Sequence, residues 1–114
     1  MLPKEYRLTK SQEIKRVYFE GQRNKKGVFR INYKKNNEKC PRFAFVVPNK
    51  VAKQATKRNR IKRQLRSIIS LNLDIFTKNF DIIVLVGPGT VKKGYNELER
   101  ELIFTLKYLH LAEK

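Results

Sequence analysis

The sequence is poor in the groups that run chemistry. Among 114 residues there is one cysteine, Cys40, one histidine, His110, and no tryptophan. A lone cysteine excludes an intrachain disulfide, and one Cys with one His cannot assemble a four-ligand zinc site. Such sparing use of cysteine fits a reducing, cytoplasmic compartment. Acids are scarce too, ten against 27 Lys and Arg, and they are scattered: Glu5, Glu13, Glu20 and Glu38 early, Asp74 and Asp81 later, Glu97, Glu99, Glu101 and Glu113 near the end. Metal-assisted phosphodiester cleavage needs clustered carboxylates, and metal-free cleavage needs a paired acid and base. Neither is available, so a nuclease working through its own side chains is excluded. No apolar run approaches the ~20 residues of a membrane span. The first residues, Met1 to Arg7, lack the apolar stretch of a signal peptide, so none is expected.

What is abundant is positive charge, a net +17. Residues 1–66 hold 21 basic and four acidic residues; residues 67–114 hold six of each. The whole excess therefore sits in the first part of the chain. A partner rich in negative charge is implied, nucleic acid before an anionic membrane. The excess culminates in residues 55–66, with six basic residues and no acid. Ile61, Leu65, Ile68 and Ile69 recur at helical spacing and predict a helix over 56–71 with one narrow face in a core. Asn59, Arg63 and Arg66 are expected along one flank of that stripe, Arg58 and Lys62 along the other. So many cations without a Glu partner at i+4 repel one another. A polyanion would offset that repulsion, and the arginine fork suits phosphate oxygens.

The rest reads as one small α+β domain, residues 1–114. Thr9 and Gln12 have capping-box spacing before a helix that ends at Glu20 with Gly21 as its stop. Ile14, Val17 and Tyr18 form its apolar face. Residues 22–27 read as a basic turn. Residues 28–34 alternate, with Phe29, Ile31 and Tyr33 on one face. Residues 42–47 form a second strand, so a hairpin is expected, its outward face showing Arg30, Asn32, Ala44 and Val46. That face would suit a strand of RNA or plain solvent. Residues 80–86 are almost continuously apolar, as in a strand buried on both faces. Gly87-Pro88-Gly89 ends it without phosphate-loop spacing. Asn96 and Glu99 have capping spacing before a last helix that packs Leu98, Leu102, Thr105, Leu106 and Leu109 inward. His110 reads as an ordinary surface residue.

The block Ala55, Arg58-Asn59-Arg60-Ile61-Lys62-Arg63, Leu65-Arg66 resembles the signature of the protein subunit of bacterial ribonuclease P, and the resemblance covers nearly the whole chain. The residues read in the order helix, strand, strand, helix, strand, helix, with room for a short extra strand near Val51, as a mixed sheet with helices against one face. The resemblance implies the matching order α-β-β-(β)-α-β-α and the fold of ribosomal protein S5 domain 2, with a left-handed β-α-β crossover. It also implies an endoribonuclease whose catalytic groups lie in a partner RNA, with Mg2+ held mainly by that RNA. In such a subunit, Lys57, Arg58, Asn59, Arg60, Lys62, Arg63 and Arg66 would bind the catalytic RNA. Ile14, Tyr18, Arg30, Asn32 and Lys50 would bind the 5′ leader of precursor tRNA. Tyr18 keeps a ring for base stacking. Ile14 departs from the family's aromatic pattern, and of its usual lysine pair only Lys50 remains, beside Asn49. Ala52 stands where a larger apolar residue is usual, with Val51 adjacent. The implied partners are the catalytic RNA and precursor tRNA, with no membrane and no protein partner required. Composition and pattern alone reach a basic RNA-binding α+β domain. They leave open a structural RNA-binding protein, such as a small ribosomal component.

Overall fold

The computed structural model describes residues 2–113. Its main elements are α1 (Ser11–Glu20), β1 (Gln22–Lys26), β2 (Phe29–Lys35), β3 (Arg42–Val46), α2 (Ala55–Leu71), β4 (Phe80–Val86) and α3 (Tyr95–Tyr108). The class and the order are those expected, but the extra strand is β1. The segment read as a basic turn pairs with β2 throughout, from Gln22 opposite Tyr33 to Lys26 opposite Phe29. Near Val51 the chain instead makes a turn, with the Val51 N–H donating to Pro48 O at 3.0 Å.

The sheet order is β1-β2-β4-β3. Strand β4 is antiparallel to β2 and parallel to β3. The hairpin therefore joins β1 to β2, and the expected β2–β3 pairing does not form. Strand β4 comes between them instead: it is apolar on both faces, as suits the centre of a sheet covered on both sides, and β2 and β3 pair with its two edges. A parallel β3–β4 pair in turn requires a long crossover, and α2 provides it.

The two faces of the sheet are covered unequally. Phe29, Ile31, Phe43, Ile82, Val84 and Val86 face α2 and α3, whose stripes Ile61, Leu65, Ile68, Ile69 and Leu98, Leu102, Leu106 complete the main core. Each such side chain contributes about 1.5–3 kcal/mol of burial. The opposite face meets α1 through a small cluster of Leu8, Val17 and Ile83. Helices thus pack on both faces, which corrects the one-face expectation. Helix α1 is short and its apolar stripe narrow, so it covers only part of its face.

Helix ends depart from the spacing rules. Neither capping box forms: α1 starts after Lys10 and α3 after Gly94, both without a side-chain cap. Asn96 lies inside α3, and Glu99 instead accepts from Asn72 Nδ2 at 3.0 Å, tying the end of α2 to α3. Gly21 does follow α1, but with φ −83° it is not a left-handed stop. A Cβ there would lie 2.5 Å from Tyr33 O and 2.6 Å from Val17 O, so close approach of helix to strand demands glycine. The left-handed position after α3 falls to His110, φ 62°. Its N–H reaches Lys107 O at 3.0 Å, and the Leu111 N–H reaches Leu106 O at 2.9 Å, which closes a Schellman motif.

Candidate nucleic-acid interface

Helix α2 is held by its apolar stripe and carries its cations in two tiers. Arg58, Lys62 and Arg66 are half-buried, an i, i+4 row bordering the core. They share one side rather than splitting across two flanks as expected. Lys57, Asn59, Arg60 and Arg63 are exposed. Arg58 has a structural duty as well: its Nη1 donates to Ala52 O at 2.9 Å and to Lys53 O at 2.7 Å, pinning the loop that enters the helix. No Glu or Asp from another element forms an ion pair with α2 among the described residues. An anchored helix with an open row of cations can track a phosphate backbone.

On the other face of the sheet, α1 leaves a groove. Ile14 and Tyr18 of α1 and Ala44, Val46 and Leu85 of the sheet are half-buried around the small cluster. Strand register continues the groove outward. Lys25, Arg30, Leu85 and Val46 stand in one cross-strand row, and Arg23, Asn32, Ile83 and Ala44 in the next. Lys25, Arg30 and Lys50 converge on one cavity of about 480 Å³ that Leu85 also lines. The groove is therefore apolar beside α1 and cationic at its far end. It can seat a base against Tyr18 and neutralise phosphates beyond it.

Four of the five residues expected for a leader lie along this groove. Asn32 does not face out. It is 1% exposed, on the face that α1 covers, and its Oδ1 has no hydrogen-bond partner. Alternation predicts its face correctly but cannot predict that a helix would cover it. One residue was missed by the sequence reading. Lys25 was hidden in the supposed turn, where a strand reading would have put it beside Arg30.

The other end of the groove is closed by ions. Arg42 of β3 pairs with Asp81 of β4 at 2.8 Å and with Glu13 of α1 at 3.2 Å. The hydrogen bonds that Arg42 donates to Asp81 raise the Arg42 pKa above its ordinary value, outweighing the opposing effect of burial. Lys34 and Glu20, 3.8 Å apart at the surface, add little. Burial, and then the charge of Glu5, push the Cys40 thiol up; its Sγ sits 3.2 Å from Glu5 O. Among the described residues no three His, Cys, Asp or Glu side chains converge as a metal-ligand set. No helix among them is long and apolar enough to cross a membrane.

Comparison with known proteins bears on the family and the fold. The family model described as Ribonuclease P matches residues 2–110. A ribonuclease P protein component of Cyanothece sp. is 32% identical, covering 90% of this chain and 90% of its own. One from Synechocystis sp. is 34% identical, covering 89% and 82%. Among solved structures, a mutant RNase P protein of Staphylococcus aureus superposes with TM-score 0.87 at 25% identity, over 95% of this chain and 91% of the other. The RNase P protein of Thermotoga maritima gives 0.81 at 26%, over 90% and 96%.

Proposed function

We propose, for a chain that belongs to the ribonuclease P protein component family, that two opposite faces of one sheet divide the work of RNA binding. The chain is a protein subunit of the endoribonuclease ribonuclease P, which matures the 5′ end of tRNA, and it associates with the RNase P RNA. In our reading the exposed cations of α2, Lys57, Arg60 and Arg63 with Asn59, dock that RNA. Arg58, Lys62 and Arg66 support them from the row behind. The groove under α1 takes the 5′ leader of precursor tRNA. Tyr18 and Ile14 contact its bases, Arg30 and Lys50 its phosphates, and Asn32 acts only from beneath. The observation that carries this reading is the contrast between the two faces: one lined by the exposed cations of α2, the other a groove with an apolar wall and a cationic end.

In our reading this chain acts by binding, positioning and screening, since no carboxylate cluster forms among the described residues. The magnesium is assigned to RNA phosphates. Most of the binding free energy comes from counterion release and falls steeply with salt. The protein works in the cytoplasm, without a membrane and without a required protein partner.

The test is processing of one labelled precursor by protein alone, RNA alone and both, at low and high magnesium. Protein alone should not cleave, RNA alone should cleave only when magnesium is abundant, and the mixture should cleave when it is scarce. Cleavage by protein alone would overturn the assignment of catalysis to RNA. Binding without rescue or precursor preference would favour a purely structural RNA-binding protein.

A further inference from the structure

Phe104 and Tyr108 lie one turn apart on α3 and are 58% and 55% exposed, off the stripe that faces the core. Their rings stack with centroids 6.4 Å apart and planes 24° apart. Lys26, the last residue of β1, holds its Nζ 4.2 Å from the Tyr108 ring centre and 5.5 Å from that of Phe104. Its backbone is fixed by pairing with Phe29, and the next residue, Gly27, lies close against Glu101 of α3. The ammonium is thus held at the rings by the fold, and more than half of each aromatic residue stays open with it in place.

The patch continues the cationic helix. Arg100 and Phe104 share a cavity of about 440 Å³ with Asn72, the residue that follows α2. Leu71, 70% exposed, is the last residue of α2, eleven residues and so three turns from the exposed Arg60. A ligand lying along α2 therefore arrives at Phe104.

Charge selects the ligand. A second copy of this chain would bring another net +17 onto a surface where Lys26, Arg100 and Lys107 outnumber Glu99. A nucleotide brings a flat base for the rings and a phosphate for the cations. We infer that Phe104, Tyr108 and Lys26 form a stacking platform for an unpaired nucleotide of the RNA docked along α2, distinct from the groove under α1. The inference rests on the RNA-binding reading above.

The experiment compares Phe104→Ala/Tyr108→Ala, Lys26→Ala and Arg60→Ala/Arg63→Ala in binding the RNase P RNA, with thermal melts alongside. The aromatic double variant should melt as the parent does and bind roughly five- to a hundred-fold more weakly, with an unchanged salt slope. Lys26→Ala should lower the salt slope by about 1. Tyr108→Phe, which keeps the ring, should bind as the parent. Full affinity in the aromatic variant, with loss in Arg60→Ala/Arg63→Ala, overturns the platform alone. Full affinity in both overturns the reading of α2 as well. If sedimentation shows dimers of the parent that the aromatic variant lacks, the patch is a self-association face and the inference falls.

Discussion

Arg42 grips Asp81 along one edge of its guanidinium, Nε on Oδ1 and Nη2 on Oδ2, each at 2.8 Å. Its Nη1 and Nη2 also reach the two carboxylate oxygens of Glu13 at 3.2 Å. Strands β3 and β4 are thereby joined to each other and to α1, so this pairing sets where Tyr18 stands over the sheet. Arg42→Met would leave Asp81, 8% exposed, with Asn36 as its remaining side-chain partner. It should cost roughly 3 kcal/mol in denaturant unfolding. Glu13→Gln should cost less than about 1 kcal/mol yet reduce the preference for precursor over mature tRNA, because α1 loses its tether.

The same pair fixes a pH behaviour. The Arg42 pKa is raised in the folded chain. A raised pKa contributes stability that is complete below the unfolded value and lost only above it. The stability gap between parent and Arg42→Met should therefore stay level from neutral pH to about pH 10. A gap that closes across that interval would contradict the assignment.

On α2, exposed and half-buried arginines should separate. Arg60→Ala/Arg63→Ala should unfold like the parent and lose about 1 in salt slope per phosphate contact removed. Arg58→Ala should weaken the fold by about 1–2 kcal/mol as well, since it frees two loop carbonyls. Binding isotherms at several salt concentrations, read beside unfolding curves, decide this.

Tyr18→Ala should cost roughly 1–3 kcal/mol in precursor binding and little in binding of mature tRNA. If Tyr18 only packs the small cluster with Val17 and Ile83, the variant should lose melting temperature instead and keep its precursor preference.

His110 occupies a backbone region that costs a side chain about 1 kcal/mol or more. His110→Gly should raise stability by about 0.5–1 kcal/mol, because the Schellman hydrogen bonds do not involve the imidazole. Chemical denaturation of the two proteins is the measurement.

Much of this was legible in the sequence. The run 80–86 announced a strand buried on both faces, and β4 is that strand to the residue. Ile61, Leu65, Ile68 and Ile69 placed α2 and its buried side. What escaped was pairing. Strands β2 and β3 look like a hairpin because they are neighbours, and parallel pairing across a long helix leaves no local trace. Strand β1 escaped because Gln22-Arg23-Asn24-Lys25-Lys26 has no apolar residue, and an edge strand needs none. Its loss hid Lys25 from the groove and Lys26 from the rings of α3. Arg58 looked like one cation among six until its contact with the loop carbonyls was visible.

That edge strand has a consequence for solubility. On the β3 side, Arg7 bridges to Phe43 and the Leu8 N–H bonds Phe43 O, so the lead-in segment shields that margin of the sheet. At the β1 margin, no further strand pairs among the described residues. An open row of backbone N–H and C=O groups invites sheet-to-sheet polymerisation. Arg23, Lys25 and Lys26 make two such margins repel when they meet. The protein can thus be kept concentrated without fibrillar association, and neutralising that strand would remove the safeguard while the fold stayed intact.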